Sequence, residues 1–584
     1  MGAPILVAAL FAVSGPAEAQ RPGDRQFPID VNPAYKMYDL LPSGFKPQVT
    51  GIAALSEGSL VLSTREDSPY DYTPATSGKL YLVDGYASHS AAKVTWKKIA
   101  EGLFEPMGVA VVNDTIYAMT KQELIRFVDA DKDGGYRSKK TVCSGFPGTN
   151  NVFEWNFGLA YHDGAFYSQL SSHHNVDDGS QNTERGGVIR MRADNTWELL
   201  GTGIRRSNGV GLGPNNDIFT TDNQGEWVPT NRLIHAQKDK WWGYRNGPNY
   251  NPHKYPLTKP AIWMPYYTVS RSPSQPALLI QGPYRGQMIT GDCTDPALRR
   301  MFVEKVNGEY QGAVFHFAAM DKAPANRFLM RPNGDILVGG LGSSVDGHAD
   351  WNWWGGSLYG LQALAPSGVV PFDMLAVRAV KGGFDIEFTK PLGAGADNPG
   401  NYEIRTWGYR SERSYSSPKQ NEYGMGARAA TLGPDRKRVY LAIDNLPAGN
   451  VVYIRLKESI KSADQEQPWI TEAWYTLNSP GTAEPLQTLP EVWVPTRSAQ
   501  RPAAARAAKA FRYDPDTRSI AWPEAGGAGD RLVIRDLRGA IVAEHFPGPG
   551  KQVLHLARDR FPAGLYTLEF LRAGSSQVTS LLLD

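Results

Sequence analysis

Apolar and polar residues alternate in short runs along residues 30–365, and one arrangement of these runs recurs. A glycine is followed by an alternating run, a turn rich in Asn, Asp or Gly, and a second alternating run. Alternation with a period of two on both sides of a tight turn predicts a β-hairpin. Close copies of this pattern begin at Gly51, Gly108, Gly158, Gly209 and Asn326, and a looser copy begins at Gly286.

The spacing of these copies is nearly constant, with 57, 50 and 51 residues between the first four. One hairpin cannot bury its apolar face alone, whereas several radially packed four-stranded sheets can. The six copies therefore predict a six-bladed β-propeller over residues 30–365. A β-sandwich is the alternative, although it seldom repeats one hairpin formula at a fixed period.

The pattern changes after residue 365. Alternating strands in PFDMLAVRAVKGGFDIEFTKPL, from residue 371, and VYLAIDNLPAGNVVYIRLKESI, from residue 439, predict an immunoglobulin- or fibronectin-like β-sandwich over residues 366–480. A Pro/Ala-rich linker is predicted at 481–509, and a small C-terminal β domain at 510–584. We therefore expect the whole chain to be all-β.

Composition agrees with this fold class and narrows the partners. The 584 residues include 60 Gly, 42 Pro, 27 Tyr and 15 Trp, which suits short strands joined by tight turns. The formal net charge is +2, and no basic block with interleaved aromatic residues stands out. This balance argues against nucleic acid as a partner.

The two ends of the chain predict export. An apolar run at 3–13 and the small-x-small ending Ala-Glu-Ala at 17–19 are typical of a signal peptide over residues 1–19. The run is too short for a membrane anchor, and no later run is long enough. DRLVIRDLRGAIVAEH, from residue 530, and PAGLYTLEF, from residue 562, resemble C-terminal sorting domains of secreted bacterial proteins. Together they imply a periplasmic, cell-surface or extracellular protein of a Gram-negative bacterium.

Cysteine usage excludes some chemistry and leaves one question open. The chain has two cysteines, Cys143 and Cys293, and no CxxCH motif, so covalently attached c-type haem is excluded. Two cysteines do not form a disulfide framework. A single bridge needs Cα atoms within about 7 Å of each other, which the sequence cannot establish.

Polar residues flank the fourth hairpin at both ends, where a propeller presents its ligand loops. Arg205 and Asn208 precede the hairpin, and Asp222, Gln224 and Trp227 follow its second strand. A guanidinium, a carboxylate, amides and an indole could hold an anionic or polyhydroxy ligand. The structural alternative is that Asn and Gly build the turns and that Asp222 accepts backbone amides.

These loops carry a resemblance to a known family. The order Arg-x-x-x-Gly, apolar strand, acidic-Gln-Gly loop and RLIHAQKDKWWGY, from residue 232, resembles the soluble quinoprotein glucose/sorbosone dehydrogenases. GQMITGDCTDPALRRMFVEKVNGEYQGAVF, from residue 286, and PFDMLAVRAVKGGFDIEFTKPL resemble the secreted, sorbosone-dehydrogenase-like group of that family. The resemblance covers residues 45–480.

This resemblance implies a six-bladed propeller that binds pyrroloquinoline quinone (PQQ) and calcium and oxidises sugars. Arg205 matches the arginine that pairs with a carboxylate of the quinone. Gly225 and Glu226 fall in the loop whose backbone carbonyls hold calcium. The family has a histidine as general base, and Glu154 stands at that position here. Two loop histidines, His173 and His174, are the alternative base.

A second candidate for calcium is the stretch DADKDGGYRSKK. Asp129, Asp131 and Asp133, followed by a glycine, copy the first half of a calcium-binding loop. At position 12, where a bidentate Glu belongs, the chain has Lys140. Calcium between blades and a solvated acidic turn therefore both remain open.

Three functions compete at this stage. The first is a PQQ-dependent sugar dehydrogenase, and the second is a propeller that has lost the base and binds carbohydrate or another polymer. The third is hydrolase or lyase activity, with Glu154 and either Asp222 or Asp292 as the acid and base. The aromatic stretches WNWWGGSLYG, WWGYRNGPNY and WMPYY suit a sugar ligand, because indole and phenol faces stack on sugar rings. They could equally fill the propeller core.

Overall fold

The computed structural model describes most of the chain between residues 30 and 583. The described ranges are 30–65, 76–128, 136, 138–148, 154–172, 185–245, 255–294, 296–341, 357, 359–487, 512–514, 519–522, 531–535, 541–545, 552–557, 564–572 and 575–583. Within them the chain is all-β, as predicted, with single-turn 3-10 helices at Tyr86–Ser88, Ala91–Lys93, Pro214–Asn216 and Pro399–Asn401.

The first strand and the first three sheets follow in chain order. The strands are β1 Tyr35–Asp39; β2 Gln48–Ala54, β3 Leu60–Arg65, β4 Gly78–Asp84 and β5 Thr95–Leu103 in sheet one; β6 Gly108–Val112, β7 Thr115–Met119, β8 Glu123–Val128 and β9 Ser138–Ser144 in sheet two; β10 Asn156–His162, β11 Ala165–Leu170, β12 Gly187–Met191 and β13 Trp197–Leu199 in sheet three.

Three further sheets complete a ring. Their strands are β14 Val210–Leu212, β15 Ile218–Asp222, β16 Asn231–His235 and β17 Ile262–Met264 in sheet four; β18 Pro273–Leu278, β19 Met288–Asp292, β20 Ala297–Val306 and β21 Glu309–Ala319 in sheet five; β22 Ala325–Met330, β23 Ile336–Leu341 and β24 Tyr359–Pro366 in sheet six, whose fourth strand is β1.

The ring of described sheets is a β-propeller closed by the N-terminal strand. The inner strands β2, β6, β10, β14, β18 and β22 each contact the next, and β22 contacts β2. Strand β1 pairs antiparallel with β24, with Tyr38 opposite Ala363. Because the last sheet takes its outer strand from the start of the chain, opening the ring requires breaking this pairing.

The recurrent glycines lie where inner strands approach one another. A Cβ on Gly108 would lie 2.5 Å from the carbonyl carbon of Gly158, and a Cβ on Gly158 would lie 2.7 Å from the amide nitrogen of Val210. Any larger residue would force neighbouring sheets apart at the axis. The glycines that open the first four repeats are therefore a packing requirement of the ring.

The looser copy has a different place in its sheet from the close copies. The looser copy from Gly286 forms β19, β20 and β21, which are the second to fourth strands of sheet five. The inner hairpin is β18–β19, and β18 begins PSQP with a register irregularity between Pro273 and Pro276. Proline lacks the amide donor of a regular ladder, so this strand lacks the glycine-and-alternation pattern of the other copies.

A second unit follows the ring. Its strands are β25 Met374–Val380, β26 Gly383–Phe388, β27 Tyr402–Gly408, β28 Gln420–Met425, β29 Ala429–Leu432, β30 Arg438–Ala442, β31 Asn450–Leu456 and β32 Glu472–Leu477. One sheet has the order β25-β26-β30-β29, and the other the order β32-β31-β27-β28. Phe384 and Ile386 from the first share a buried core with Ile454 and Tyr475 from the second. The immunoglobulin- or fibronectin-like class stays a prediction.

The second unit continues a sheet of the ring. Strand β32 pairs antiparallel with β21, with Val314 opposite Trp474, so that sheet five and one sheet of the second unit form a single eight-stranded sheet. The apolar core of sheets four and five also includes Trp407 and Tyr453 of the second unit. These shared elements fix the second unit against the ring.

The described parts of the tail form two further sheets. Their strands are β33 Arg512–Asp514, β34 Ser519–Trp522, β35 Arg531–Arg535, β36 Ile541–His545, β37 Gln552–His555, β38 Gly564–Arg572 and β39 Ser575–Leu583, in the orders β33-β34-β37 and β36-β35-β38-β39. The sorting role of this tail stays a prediction.

Three further points concern export and cysteine. The predicted signal peptide, 1–19, lies outside the described residues. In the part of the chain that the structure describes, no helix is long and apolar enough to cross a membrane.

Cys143 and Cys293 are both free thiols. Burial raises the pKa of Cys143 to about 11, which keeps this thiol protonated at neutral pH.

Candidate functional site

Both predicted loops of sheet four meet at one rim of the propeller. The carboxylate of Asp222 ends β15, and its Oδ1 accepts the backbone N–H groups of Arg205 (3.1 Å) and Arg206 (2.8 Å). Its Oδ2 accepts from Nη2 of Arg232 at 2.6 Å. With its oxygens bonded inside the protein, the buried Asp222 fixes the loop that precedes β14. Its predicted cofactor contact stays a prediction.

Asp292 has the same position in sheet five. It ends β19, and its Oδ2 accepts the N–H groups of Arg271 (2.8 Å) and Ser272 (2.9 Å). Its Oδ1 accepts from the N–H (2.9 Å) and hydroxyl (2.8 Å) of Thr294. Because buried acceptors in these positions stabilise the loops, the arrangement favours a structural role for both aspartates over a catalytic pair with Glu154.

Arg205 faces the second unit. Its Nη2 lies 2.9 Å from a carboxylate oxygen of Glu226, and its Nη1 donates to the carbonyl of Gln224 at 2.8 Å. The guanidinium lies over the ring of Tyr415, 5.4 Å from the centroid. A Cβ on Gly225 would lie 2.2 Å from Cζ of Arg205, so glycine is needed there. We call this contact region the junction.

A loop of the second unit covers the junction. The N–H of Trp227 donates to the carbonyl of Glu412 at 2.7 Å, and the hydroxyl of Ser411 donates to the carbonyl of Trp227 at 2.6 Å. The N–H of Ser416 donates to the carbonyl of Gly225 at 3.3 Å. The loop that the resemblance assigns to calcium is thus bonded to another part of the chain.

Arg206 faces the opposite way, toward the axis of the ring. Its guanidinium lies over the indole of Trp155, 5.2 Å from the ring centroid, and the guanidinium of Arg65 lies over the same indole at 5.3 Å. Sheets one, three and four therefore each contribute one residue to this stack. Cation–π contacts of this kind gain strength where water is excluded.

Glu105 connects Arg65 to a buried lysine. Its two carboxylate oxygens lie 3.6 Å from Nη2 of Arg65 and 3.2 Å from Nζ of Lys121. Burial lowers the pKa of Lys121, and the charge of Glu105 opposes that shift. Glu105 has a φ of 45°, a left-handed conformation that is uncommon for a residue with a side chain. Strained residues of this kind cluster at functional sites.

Glu154 is fully buried beside this group. Its charge acts on Arg185 and on Lys121. Arg185 donates to the carbonyls of Ser171 and Trp155, both at 2.7 Å, and burial lowers its pKa to about 10. The predicted general base is therefore a carboxylate among cations at the inner end of sheet three.

Arg327 crosses the channel from sheet six. Its Nε donates to the carbonyl of Thr50 at 2.7 Å, and its Nη2 donates to the carbonyl of Met107 at 3.1 Å. Its Nη1 donates to the side-chain oxygen of Asn208 at 3.1 Å. The amide of Asn208 donates in turn to Asn326 at 2.9 Å and contacts the sulfur of Cys293. One buried arginine thus joins four sheets of the ring.

We call this second region the channel mouth. It comprises Arg65, Glu105, Lys121, Glu154, Trp155, Arg185, Arg206, Asn208 and Arg327. Among these described residues the cationic side chains outnumber the carboxylates, and most of them are buried. Such a set favours an anionic ligand, and the indole and the planar guanidinium groups favour a planar one.

The structure divides the predicted site residues between the two regions. Glu154 and Asn208 lie at the channel mouth, whereas Arg205, Gln224, Gly225, Glu226 and Trp227 lie at the junction. Asp129, Asp131, Asp133, His173 and His174 lie outside the described residues. Among the residues that are described, no group of three or more His, Cys, Asp or Glu could hold a metal ion. Sequence reasoning did not find Arg65, Trp155, Arg185 or Arg327, and it placed Arg206 in the candidate loop without a role of its own.

No protein-family model matches the sequence, and no curated protein matches it. Among solved structures, the chain is similar to the PQQ-bound aldose sugar dehydrogenase from Streptomyces coelicolor, with 16% identity and a TM-score of 0.42 over 57% of this chain and 99% of that one. It is also similar to the PQQ domain of pyranose dehydrogenase from Coprinopsis cinerea, with 12% identity and a TM-score of 0.40 over 58% and 99%. A gluconolactonase from Xanthomonas campestris has 10% identity and a TM-score of 0.32 over 57% and 90%. The solved structures that the chain is similar to thus include quinoprotein sugar dehydrogenases.

Proposed function

We propose that the chain is an exported sugar dehydrogenase that holds PQQ at the channel mouth. The observation that carries this proposal is the contact of the Trp155 indole with the guanidinium groups of Arg65 and Arg206, at a mouth whose described charged side chains are mainly cationic. PQQ is planar and carries several carboxylates, so its shape and charge match this set. Arg206 then has the role that the resemblance assigns to Arg205.

The junction fits calcium poorly. The carbonyl of Gly225 accepts the N–H of Ser416, and the carboxylate of Glu226 pairs with Arg205. Calcium takes six to eight oxygen ligands, and the described residues of this loop do not offer that set. We therefore assign calcium no step in the reaction.

Glu154 is the general base in this proposal. Oxidation of a sugar hydroxyl removes a hydride from carbon and a proton from oxygen. The quinone would supply the two-electron acceptor at the mouth. Glu154 would take the hydroxyl proton and later release it to water. Arg185 and Lys121 lie close enough to Glu154 for their charges to interact with its carboxylate.

A carbohydrate-binding propeller without turnover is the second candidate. The observation that favours it is Arg205, the family's cofactor position, which is already bonded to Glu226 and Gln224. In this alternative the cationic mouth binds an anionic sugar polymer. The two candidates differ in whether the protein binds free quinone.

A titration with PQQ separates the candidates, with quenching of tryptophan fluorescence as the readout. We expect saturable binding that weakens about 10- to 100-fold in Arg206→Ala, because a charge-assisted contact is lost. Arg192→Ala is the matched control, since Arg192 pairs with Glu198 on the outer part of sheet three.

Dye reduction with a panel of aldoses then tests turnover of the loaded protein. We expect Glu154→Gln to keep quinone affinity and to lose activity. Absence of quinone binding in the unmodified protein would contradict the proposal and favour the second candidate. Quinone binding that Arg206→Ala leaves unchanged would place the cofactor elsewhere.

A further inference from the structure

Three tyrosine rings lie together on the rim where the ring meets the second unit. Tyr266 and Tyr267, between sheets four and five, have ring centroids 4.1 Å apart and are half-buried. Tyr415, from the covering loop of the second unit, is 46% exposed. Its loop and the segment of Tyr266 bond adjacent residues, since the N–H of Ser417 donates to the carbonyl of Pro229 and the N–H of Tyr266 donates to the hydroxyl of Thr230 at 2.7 Å. Exposed aromatic rings grouped on a rim are typical of ligand contact surfaces.

Guanidinium groups support two of these rings from behind. Arg205 lies over Tyr415 at 5.4 Å, and Arg271 lies over Tyr267 at 5.1 Å. The two arginines have equivalent positions in consecutive sheets, because the N–H of each donates to the aspartate that ends the second strand. Equivalent arginines of two consecutive sheets thus each support one tyrosine ring.

The backbone holds these rings in fixed positions. Tyr267 has a φ of 62°, in the left-handed region that bulky residues rarely adopt. The loop that carries Tyr415 is bonded to the ring through the N–H of Ser417, which donates to the carbonyl of Pro229 at 3.0 Å. A backbone conformation that is unfavourable for a bulky residue persists only where the surrounding structure imposes it, and such conformations are often found at ligand contacts. The rings are therefore preorganised rather than adaptable.

We propose that Tyr266, Tyr267 and Tyr415 form a binding platform for a neutral oligosaccharide. The apolar faces of the rings stack on sugar rings, and the tyrosine hydroxyls can bond sugar hydroxyls. Glu226, whose side chain is 28% exposed beside Tyr415, supplies an acceptor. Its carboxylate pairs with Arg205, so that one of the two supporting guanidinium groups has its charge balanced.

The platform uses none of the residues of the channel mouth. It would hold a longer saccharide on the same rim, at the boundary between the ring and the second unit. Its occupation does not depend on a quinone, so it stands or falls separately from the proposed dehydrogenase activity.

Isothermal titration calorimetry with maltohexaose and cellohexaose, without quinone, tests the platform. We expect saturable binding of at least one hexasaccharide and about tenfold weaker binding in Tyr415→Ala, because one stacking ring is lost. Tyr415→Phe should retain most of the affinity, since the ring remains. Tyr266→Ala is a second variant with the same expected loss.

The matched control is Tyr423→Ala, since Tyr423 is equally exposed, at 48%, on strand β28 outside the platform. Unchanged thermal unfolding of each variant shows that the fold is intact. The proposal is overturned if neither hexasaccharide binds, if Tyr415→Ala binds as tightly as the unmodified protein, or if Tyr423→Ala weakens binding to the same extent.

Discussion

The channel mouth and the junction lie on one rim and share a stretch of chain, but the arginine of that stretch that lies in each region has different partners. Arg205 and Arg206 are neighbours whose amides bond the same carboxylate of Asp222. Arg205 then pairs with Glu226, whereas Arg206 joins a group in which cations exceed carboxylates. A paired cation belongs to the structure, and an excess of buried cations favours an external anion. The comparison teaches that charge balance, more than position in the sequence, separates scaffold from site.

The largest loss of stability is expected for Asp222, because both regions depend on its carboxylate. Asp222→Ala removes the acceptor of two loop amides and leaves Arg232 buried without its carboxylate. We expect the free energy of unfolding to fall by about 3–5 kcal/mol, which is the usual cost of breaking a buried ion pair. Urea denaturation followed by tryptophan fluorescence measures this change.

Asp435→Ala is the control, because Asp435 also accepts a backbone N–H, from Lys437 at 3.0 Å, but in an exposed turn. We expect this control to lose about 1 kcal/mol or less. Equal losses in both variants would show that Asp222 is not the common support of the two regions.

Features of the fold could be predicted from the sequence where they depend on contacts between residues close together in the chain. Each close copy of the hairpin pattern specifies its own strands locally, so five inner hairpins followed from alternation and turn residues. Strand β18 did not, because its prolines hide the pattern. The closure of β1 on β24 joins residues more than 300 positions apart, and no local signal marks it.

The same limit applies to the site. The RR pair at 205–206 gives no sign that the two side chains diverge, because their direction depends on Glu226 on one side and Trp155 on the other. Arg327 reads as an ordinary strand residue in NRFLM, yet it bonds Met107 and Asn208 across the ring. Tyr415, which covers the junction, belongs to the second unit, and this unit follows the last strand of the ring in the sequence. Its contact with Arg205 is therefore also distant in sequence.

Asp373 lies at another contact between the ring and the second unit, where the pH dependence of stability reports on a buried charge. Asp373 precedes β25, and its Oδ2 accepts from the hydroxyl of Tyr284 at 2.8 Å and lies 3.4 Å from Nη2 of Arg300. Burial raises the pKa of Asp373 to about 6, and Arg300 limits this rise. The folded state therefore binds the proton more tightly than the unfolded state does.

The sign of this pH effect follows from linkage. The contribution of Asp373 to stability is complete below the unfolded pKa of about 3.9 and is lost as the pH rises through about 6, a change of roughly 2–3 kcal/mol. Asp373→Asn lacks this ionisation. We expect the stability of the unmodified protein relative to the variant to fall by that amount between pH 4 and pH 7.5 in urea denaturation. A difference that is constant over this range would contradict the prediction.

The smallest expected effect contrasts the two neighbouring arginines directly. Arg205→Met leaves Glu226 without its cation and removes a guanidinium that fills the space above Gly225, so we expect a loss of about 2 kcal/mol. Arg206→Met removes one of the cations at the channel mouth and replaces the guanidinium over Trp155 with an apolar side chain. Relief of repulsion should offset the lost cation–π contact, so we expect a change below about 1 kcal/mol. Thermal and urea unfolding of both variants in parallel measure the contrast. If Arg206→Met is the more destabilising of the two, Arg206 is the scaffold residue, and the assignment of the two regions must be reversed.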